Sequence, residues 1–375
     1  MNILIFSWRG PGHPHAGGAE YSTTQHAKGW IKAGNQVTLF TSSFQGAKPE
    51  EVIDGMRIVR RGQQVFSVHL KALIWYLFGS HDIFDIVIDE VHGIPFFTPI
   101  FVKVPKLVFI HEVAKEVWEL NPWSFPFNLL PAIIGPLLEP LIFKFFYKRM
   151  MFMAVSQSTK NDLIDWGIPK ENITVVHNGF ENPRYKIDKK NTRKTIIYLG
   201  ALSKDKGIED ALVTFKIISE TSKNIQFWIV GKGEDHYLQF LKRKVKLLGI
   251  EKATKFFGFV NNEEKYKLLS KAHILINPSI REGWGFVVIE AASVGVPTVA
   301  YNVAGLRDSV VDGKTGLLCD TEPNILSSKI QYLLNNKELY QFLSANCLKW
   351  SREFSWEKSV NRSLKLLETI SFSNS

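Results

Sequence analysis

Pro278-Ser279-Ile280-Arg281-Glu282-Gly283-Trp284-Gly285-Phe286-Val287-Val288-Ile289-Glu290-Ala291-Ala292-Ser293-Val294-Gly295-Val296-Pro297 is the stretch on which the fold turns. Ahead of it, His273 to Asn277 is a short apolar run that reads as a buried strand. Behind Gly285, Phe286 to Val294 reads as a helix stopped by Gly295 and Pro297. The unit is strand, glycine-rich loop, helix. The first N–H groups of such a helix have no partner inside it and carry about half a positive charge, so they favour an anion. Gly283 and Gly285 allow a ligand to approach that backbone. Glu282 and Glu290 flank the anion position with seven residues between them. A carboxylate beside a phosphate is repulsive unless it accepts from something else, such as a sugar hydroxyl. The plainer alternative is a covering helix whose two Glu residues are solvated.

Working outward, the same rhythm recurs. Upstream, the strand Thr195 to Gly200 leads through Ala201-Leu202-Ser203-Lys204-Asp205-Lys206-Gly207 to a helix from Ile208, which places the Lys206 ammonium and a helix start at one phosphate position. The strand Ile225 to Val230 runs into Gly231-Lys232-Gly233-Glu234 and a further helix. At the amino end, a strand from Asn2 to Trp8 enters a loop ending Gly17-Gly18-Ala19-Glu20, then a helix from about Ala19 to Lys32 and a strand from Gln36 to Phe40. Asp54 to Arg61 and Asp85 to Asp89 read as strands, and Lys106 to Ile110 as one that delivers His111 to its carboxyl end. The loop after the first strand lacks the G-x-G-x-x-G spacing of dinucleotide folds.

Composition is that of an ordinary globular chain, 375 residues with 45% hydrophobic and 22% charged, long enough for two domains. The net charge of +10 is uneven: residues 1–180 carry 16 basic against 15 acidic side chains, leaving 30 against 21 for the rest. No basic segment interleaved with aromatics is visible, so nucleic acid is not expected as a partner. Cys319 and Cys347 have no metal or C-x-x-C spacing, which favours a reducing compartment. The Asn2 to Phe6 run is too short and too uncharged in front for a secretory signal, and a cytoplasmic location is expected.

Residues 118–149 differ in character, with Trp118, Trp123, Phe125 and Phe127 followed by a long apolar run ending in Lys148-Arg149. Five prolines between 122 and 140, together with Glu139 and Lys144, argue against a spanning helix. Two alternatives stay open: a stretch lying in a membrane interface, or a pair of short core helices joined by proline turns. After Asn178-Gly179, a turn dipeptide, Glu181 to Lys194 is polar and basic and reads as a linker.

Together, Gly17-Gly18-Ala19-Glu20, His111, Ala154-Val155-Ser156-Gln157-Ser158, Asn178-Gly179, Lys206-Gly207, Gly231-Lys232-Gly233 and the E-x7-E stretch closely resemble, in order, the landmarks of retaining glycosyltransferase family 4. The resemblance implies the α/β GT-B fold, with two Rossmann-like doubly wound domains facing each other across a central cleft. It implies an acceptor-side domain over 1–180, a donor-binding domain over 181–354, and a terminal helix within 355–375 that crosses back to the first domain. By the same resemblance the donor is a nucleoside diphosphate sugar, bound through Gly17, Gly18, Lys206, Gly231, Gly285, Phe286, Val287 and Glu290. Glu282 and His111 are its catalytic residues, contacting the transferred sugar. The resemblance implies a glycan or lipid-linked hydroxyl as acceptor, and the membrane alternative for 118–149 would add peripheral membrane contact there. No other cofactor is expected. No D-x-D triplet occurs, so helix ends and Lys206 are expected to supply the counter-charge instead of a metal. One departure stands out: the family's arginine after the strand glycine is Ala201 here, with Lys204 or Arg281 as substitutes. Rivals to sugar transfer are a sugar phosphorylase or nucleotide-sugar epimerase of this fold, and an inactive binding partner.

Overall fold

The computed structural model describes residues 1–65, 67–120, 128–181 and 188–372. Residues 121–127, with Trp123, Phe125 and Phe127, and 182–187 of the expected linker lie outside the described residues. The chain divides into two compact units, Met1–Gly179 with Phe354–Ser375, and Phe180–Glu353.

The first unit holds eight strands: β1 Asn2–Phe6, β2 Gln36–Thr41, β3 Glu50–Ile53, β4 Met56–Arg60, β5 Ile86–Val91, β6 Lys106–Ile110, β7 Met151–Ala154 and β8 Ile173–Val175. Their order across the sheet is β3-β4-β2-β1-β5-β6-β7-β8, all parallel except the β3–β4 pair. Ile3 to Phe6 and Leu107 to Ile110 are wholly buried, as continuous apolar strands must be when helices cover both faces. The Asp54-to-Arg61 strand expected from sequence is instead half of a hairpin. Asp54 and Gly55 both have positive φ, 51° and 82°, and turn β3 into β4 as a two-residue Asp-Gly loop does.

Helix Trp356–Phe372 packs on helix Gly18–Lys32 within this unit. Ser363 Oγ lies 2.9 Å from His26 Nδ1 and accepts from Trp30 Nε1 at 2.9 Å. Gly29 makes the close approach possible, since a Cβ there would sit 2.4 Å from Val360 Cγ1. Gly179 serves likewise under Trp356, whose backbone N would lie 2.3 Å from an added Cβ. One of the two alternatives for this stretch, a pair of proline-jointed core helices, is not what forms: there is one continuous helix, Leu129–Ile142, running into a π-turn at Phe143–Tyr147 despite Pro136 and Pro140 inside it. Each proline removes a backbone donor, and the wider turn that follows is a usual accommodation of a broken hydrogen-bond ladder. Gly135, Glu139, Phe143 and Tyr147 recur every four residues as the buried stripe. Taken together, Leu129–Tyr147 are long and apolar enough to cross a membrane by length and composition, although the five prolines argue against a spanning helix. Tyr147, at the end of this stretch, donates to buried Asp89 at 2.7 Å.

The second unit has six parallel strands: β9 Lys194–Leu199, β10 Ile225–Val230, β11 Thr254–Gly258, β12 Ile274–Asn277, β13 Thr298–Tyr301 and β14 Gly316–Cys319, ordered β11-β10-β9-β12-β13-β14. Ile196, Phe215, Phe227, Ile229 and Ile276 anchor one face of its core.

Candidate active site

In a doubly wound sheet the ligand crevice lies outside the carboxyl ends of the strands where their order reverses. In the second unit that point is between β9 and β12. The two loops leaving it are Gly200–Gly207 and Pro278–Gly285, the segments that hold Lys206 and Glu282.

These loops touch because glycine lets them. A Cβ on Gly207 would fall 1.9 Å from the Pro278 carbonyl oxygen, and one on Gly305 2.0 Å from that of Glu282. Gly207 also has φ 66°, which other residues rarely adopt. Ile280 N donates to Asp205 O at 2.9 Å, and the buried Tyr198 hydroxyl donates to Ala201 O at 2.7 Å. Thus the Lys206 loop is fixed from both sides. Gly231 closes on the same region: its Cβ would overlap Gly200 O at 1.7 Å.

Lys206 Nζ then lies 3.0 Å from Glu282 Oε2, while Ser279 Oγ donates to Glu282 Oε1 at 2.9 Å. The pair is partly exposed, at 25% and 16% of the side chains, so a ligand can reach both. Helix Phe286–Ser293 opens directly after them. Gly285, at φ 81°, precedes it and brings no side chain to cap the amide end carried by Phe286 and Val287. Glu290, on the second turn, accepts from Lys265 Nζ at 2.6 Å. Lys204 is exposed and its charge acts on Glu209, whereas Arg281 is buried at 5% exposure beside Glu282 in the chain.

The first unit gathers a polar cluster at the carboxyl ends of β1, β5 and β6. Glu90 Oε1 accepts from Thr23 Oγ1 at 2.7 Å and lies 3.1 Å from His111 Nε2. That contact puts the proton on Nε2, since a carboxylate can only accept. Glu90 Oε2, Trp8 Nε1 and His92 Nδ1 are buried without a hydrogen-bond partner. Burial, and then the nearby Arg9 charge, lower the His92 pKa to about 4, which keeps the ring neutral near pH 7. Burial alone would raise the Glu20 pKa, but Arg9 and the Gly17 amide outweigh it and hold the carboxyl below its usual range. Glu20 Oε2 accepts from Gly17 N at 2.6 Å, and Arg9 Nε donates to Oε1 at 2.7 Å. The Gly17 amide expected to face phosphate is therefore turned to Glu20 in this structure, while Gly17 and Gly18 themselves are exposed.

Lys206, Glu282, Glu290, Gly285 and His111 stand at the loop, helix and strand positions expected from the sequence, and Lys206 meets Glu282. The parts played by Glu90, Thr23, Trp8, His92, Tyr198 and Lys265 are not among those expectations. Glu90 carried a usable signal, as the residue next to Asp89 in a strand aimed at the ligand end of the sheet.

Two family models match. "Glycosyltransferase Family 4" covers residues 16–182 and "Glycosyl transferases group 1" covers 180–350. The capsular polysaccharide biosynthesis glycosyltransferase CapM of Staphylococcus aureus is 29% identical over 234 residues, 55% of this chain and 59% of that protein. Glycogen synthase of Mycobacterium tuberculosis is 25% identical over 85% of this chain and 82% of its own length. Among solved structures, sucrose-phosphate synthase from Thermosynechococcus elongatus superposes with TM-score 0.80 at 18% identity over the whole of both chains. Anabaena Alr3699/HepE in complex with UDP-glucose gives TM-score 0.73 at 18% identity, covering 98% of this chain and all of that one. The two parallel-sheet α/β units are those of the GT-B fold.

Proposed function

We propose, from the premise that this chain belongs to glycosyltransferase family 4, that it moves a hexose from a nucleoside diphosphate sugar to a hydroxyl of a glycan or lipid-linked acceptor, with retention at the anomeric carbon. The product class is cell-surface polysaccharide or glycolipid, made on the cytoplasmic side. The observation that carries this reading is the pairing of Lys206 with Glu282 at 3.0 Å, beside the amide end of helix Phe286–Ser293 and at the switch point of the second sheet.

The costly event is departure of the nucleoside diphosphate. Its developing charge meets Lys206 and the N–H groups at Gly285, Phe286 and Val287, without a divalent ion. Such preorganised donors are worth about 3 kcal/mol each. Glu282 exchanges its partner Lys206 for hydroxyls of the transferred sugar and favours positive charge at the anomeric carbon. Glu290, steadied by Lys265, accepts from the ribose hydroxyls, and Gly231 borders the base. His111, oriented by Glu90, contacts the transferred sugar. The bond from the anomeric carbon to the diphosphate oxygen breaks, and the acceptor oxygen bonds to that carbon on the same face. The acceptor's proton passes to the leaving phosphate. No side chain is assigned as a nucleophile.

The test is nucleotide release from a panel of UDP- and GDP-sugars, with and without membrane extract. Release that depends on acceptor supports transfer. Turnover of a sugar 1-phosphate with free acceptor, or conversion of the donor with no acceptor, would assign the chain to phosphorolysis or epimerisation instead.

A further inference from the structure

The edge strand of the second sheet, β11, and the helix that leads into it carry a charge pattern that the chemistry above does not use. Between His236 and Asn262 the sequence has six basic side chains and one acid, Glu251. Of the six, Lys244 is committed to Glu209. Lys242, Arg243, Lys246, Lys252 and Lys255 are exposed, and among the described residues none of them has a carboxylate partner. Elsewhere on this unit surface lysines do find acids, as Lys216 does in Glu220 and Lys267 in Glu264. On helix Asp235–Leu247, Leu238, Leu241 and Val245 form the inward stripe, and Lys242, Arg243 and Lys246 the outward one. Like charges three and four residues apart cost a helix stability. The helix's own carboxyl end favours cations in its last turn, which accounts for Lys246 but not for Lys242 and Arg243, nor for Lys252 and Lys255 beyond the helix.

Aromatic rings stand beside these cations. On β11, which has only β10 as a neighbour, Lys255 Nζ lies 4.6 Å over the Phe257 ring. Just past the strand, Phe259 is 76% exposed, with Lys232 Nζ 5.7 Å over its ring. A ring with an ammonium above it offers a flat apolar face and a positive charge within the width of one sugar. The ring receives the C–H face of a pyranose, and the ammonium receives a carboxylate or phosphate that the pyranose carries. A bilayer would instead be met by a ridge of aliphatic side chains, and on this helix Leu247 is the one strongly exposed aliphatic residue.

We infer that this edge of the second unit is a docking surface for an anionic glycan, a polymer whose sugars carry carboxylate or phosphate, held by the outward cations and by the two ring–lysine pairs. That such a glycan is the acceptor polymer rests on the sugar-transfer reading, but its binding is measurable without turnover. The probe is oligogalacturonate, with a carboxylate on every sugar, titrated onto the full chain by calorimetry beside maltodextrin of the same length. With four cations engaged, affinity for oligogalacturonate should fall roughly 50-fold between about 50 and 200 mM salt, and maltodextrin should not bind. Changing Lys242, Arg243, Lys246 and Lys252 together to Gln should lower affinity about ten-fold or more at the lower salt and remove most of the salt dependence, with the melting temperature and the affinity for UDP or GDP unchanged. Phe259→Ala should lower affinity about five-fold and leave the salt dependence as it was. Absence of oligogalacturonate binding would overturn the inference, as would equal binding of maltodextrin. An equal loss on changing Lys314, Lys337, Lys349 and Arg352, exposed cations outside this stretch, would reduce the effect to net charge and overturn it too. Tighter binding of phosphatidylglycerol vesicles or duplex DNA than of oligogalacturonate would assign the surface to another partner. Glycan binding through these residues in a protein that transfers no sugar would remove the transferase reading and leave the surface standing, and transfer without such binding would do the reverse.

Discussion

Lys206 and Glu282 hold each other when the site is empty, and this makes opposite predictions for their removal. At 3.0 Å and an effective dielectric of about 20, two unit charges attract by roughly 5 kcal/mol. Partial exposure and the cost of desolvating both groups reduce the net value to about 1–3 kcal/mol. Lys206→Met removes a charge-assisted contact to the diphosphate, of similar size, and should weaken UDP or GDP binding by about 10- to 100-fold. Glu282→Gln removes the carboxylate that competes for Lys206 and repels phosphate. Nucleoside diphosphate without sugar should then bind at least as tightly as to the parent protein, while sugar transfer falls by about two to three orders of magnitude. Calorimetry with the bare nucleotide and nucleotide release from the donor sugar separate the two effects. If Glu282→Gln weakened nucleotide binding as much as Lys206→Met does, or kept parental turnover, the assignment of Glu282 to the sugar would be wrong.

Glu90→Gln should lower kcat by roughly 10- to 100-fold through loss of the His111 orientation, with nucleotide affinity unchanged and a shifted pH profile as the sign of a positioning role. Gly29→Ala should destabilise the first unit by about 1–2 kcal/mol, the overpacking cost against Val360 less the helix-propensity gain, and combining it with Val360→Ala should cost less than the sum of the two changes, read by thermal melts. His26 and His92 are buried with pKa lowered to about 3 and about 4, in both cases first by burial. Because the unfolded chain binds these protons below pH 6.5 and the folded chain does not, the first unit should lose stability as pH falls from about 6.5 to 4. The slope should reach roughly 3 kcal/mol per pH unit, measurable by denaturant titration, and should shrink by half in His92→Gln.

The strand, glycine loop and helix units were legible because each carries a local mark: an apolar run, a turn residue, a helix start. The order of Gly17-Gly18, His111, Lys206 and the E-x7-E stretch sufficed for the fold. What escaped were facts of long-range packing. That Glu282 pairs with Lys206, from a much earlier loop, or Glu290 with Lys265, depends on which strands are neighbours. Gly207 and Gly305 read as turn residues, yet they are needed because another backbone passes within contact distance. Strand β5 runs to Val91, beyond Asp89, since periodicity marks the middle of a strand better than its end. Pro136 and Pro140 read as breaks, but packing of the Gly135, Glu139, Phe143 and Tyr147 stripe keeps one helix.

Amide hydrogen exchange with and without saturating UDP or GDP addresses the donor site most directly. Protection confined to residues 203–208 and 279–290, lost in Lys206→Met, is the expected pattern. Nucleotide binding that leaves those amides unchanged and protects another surface would contradict the donor assignment.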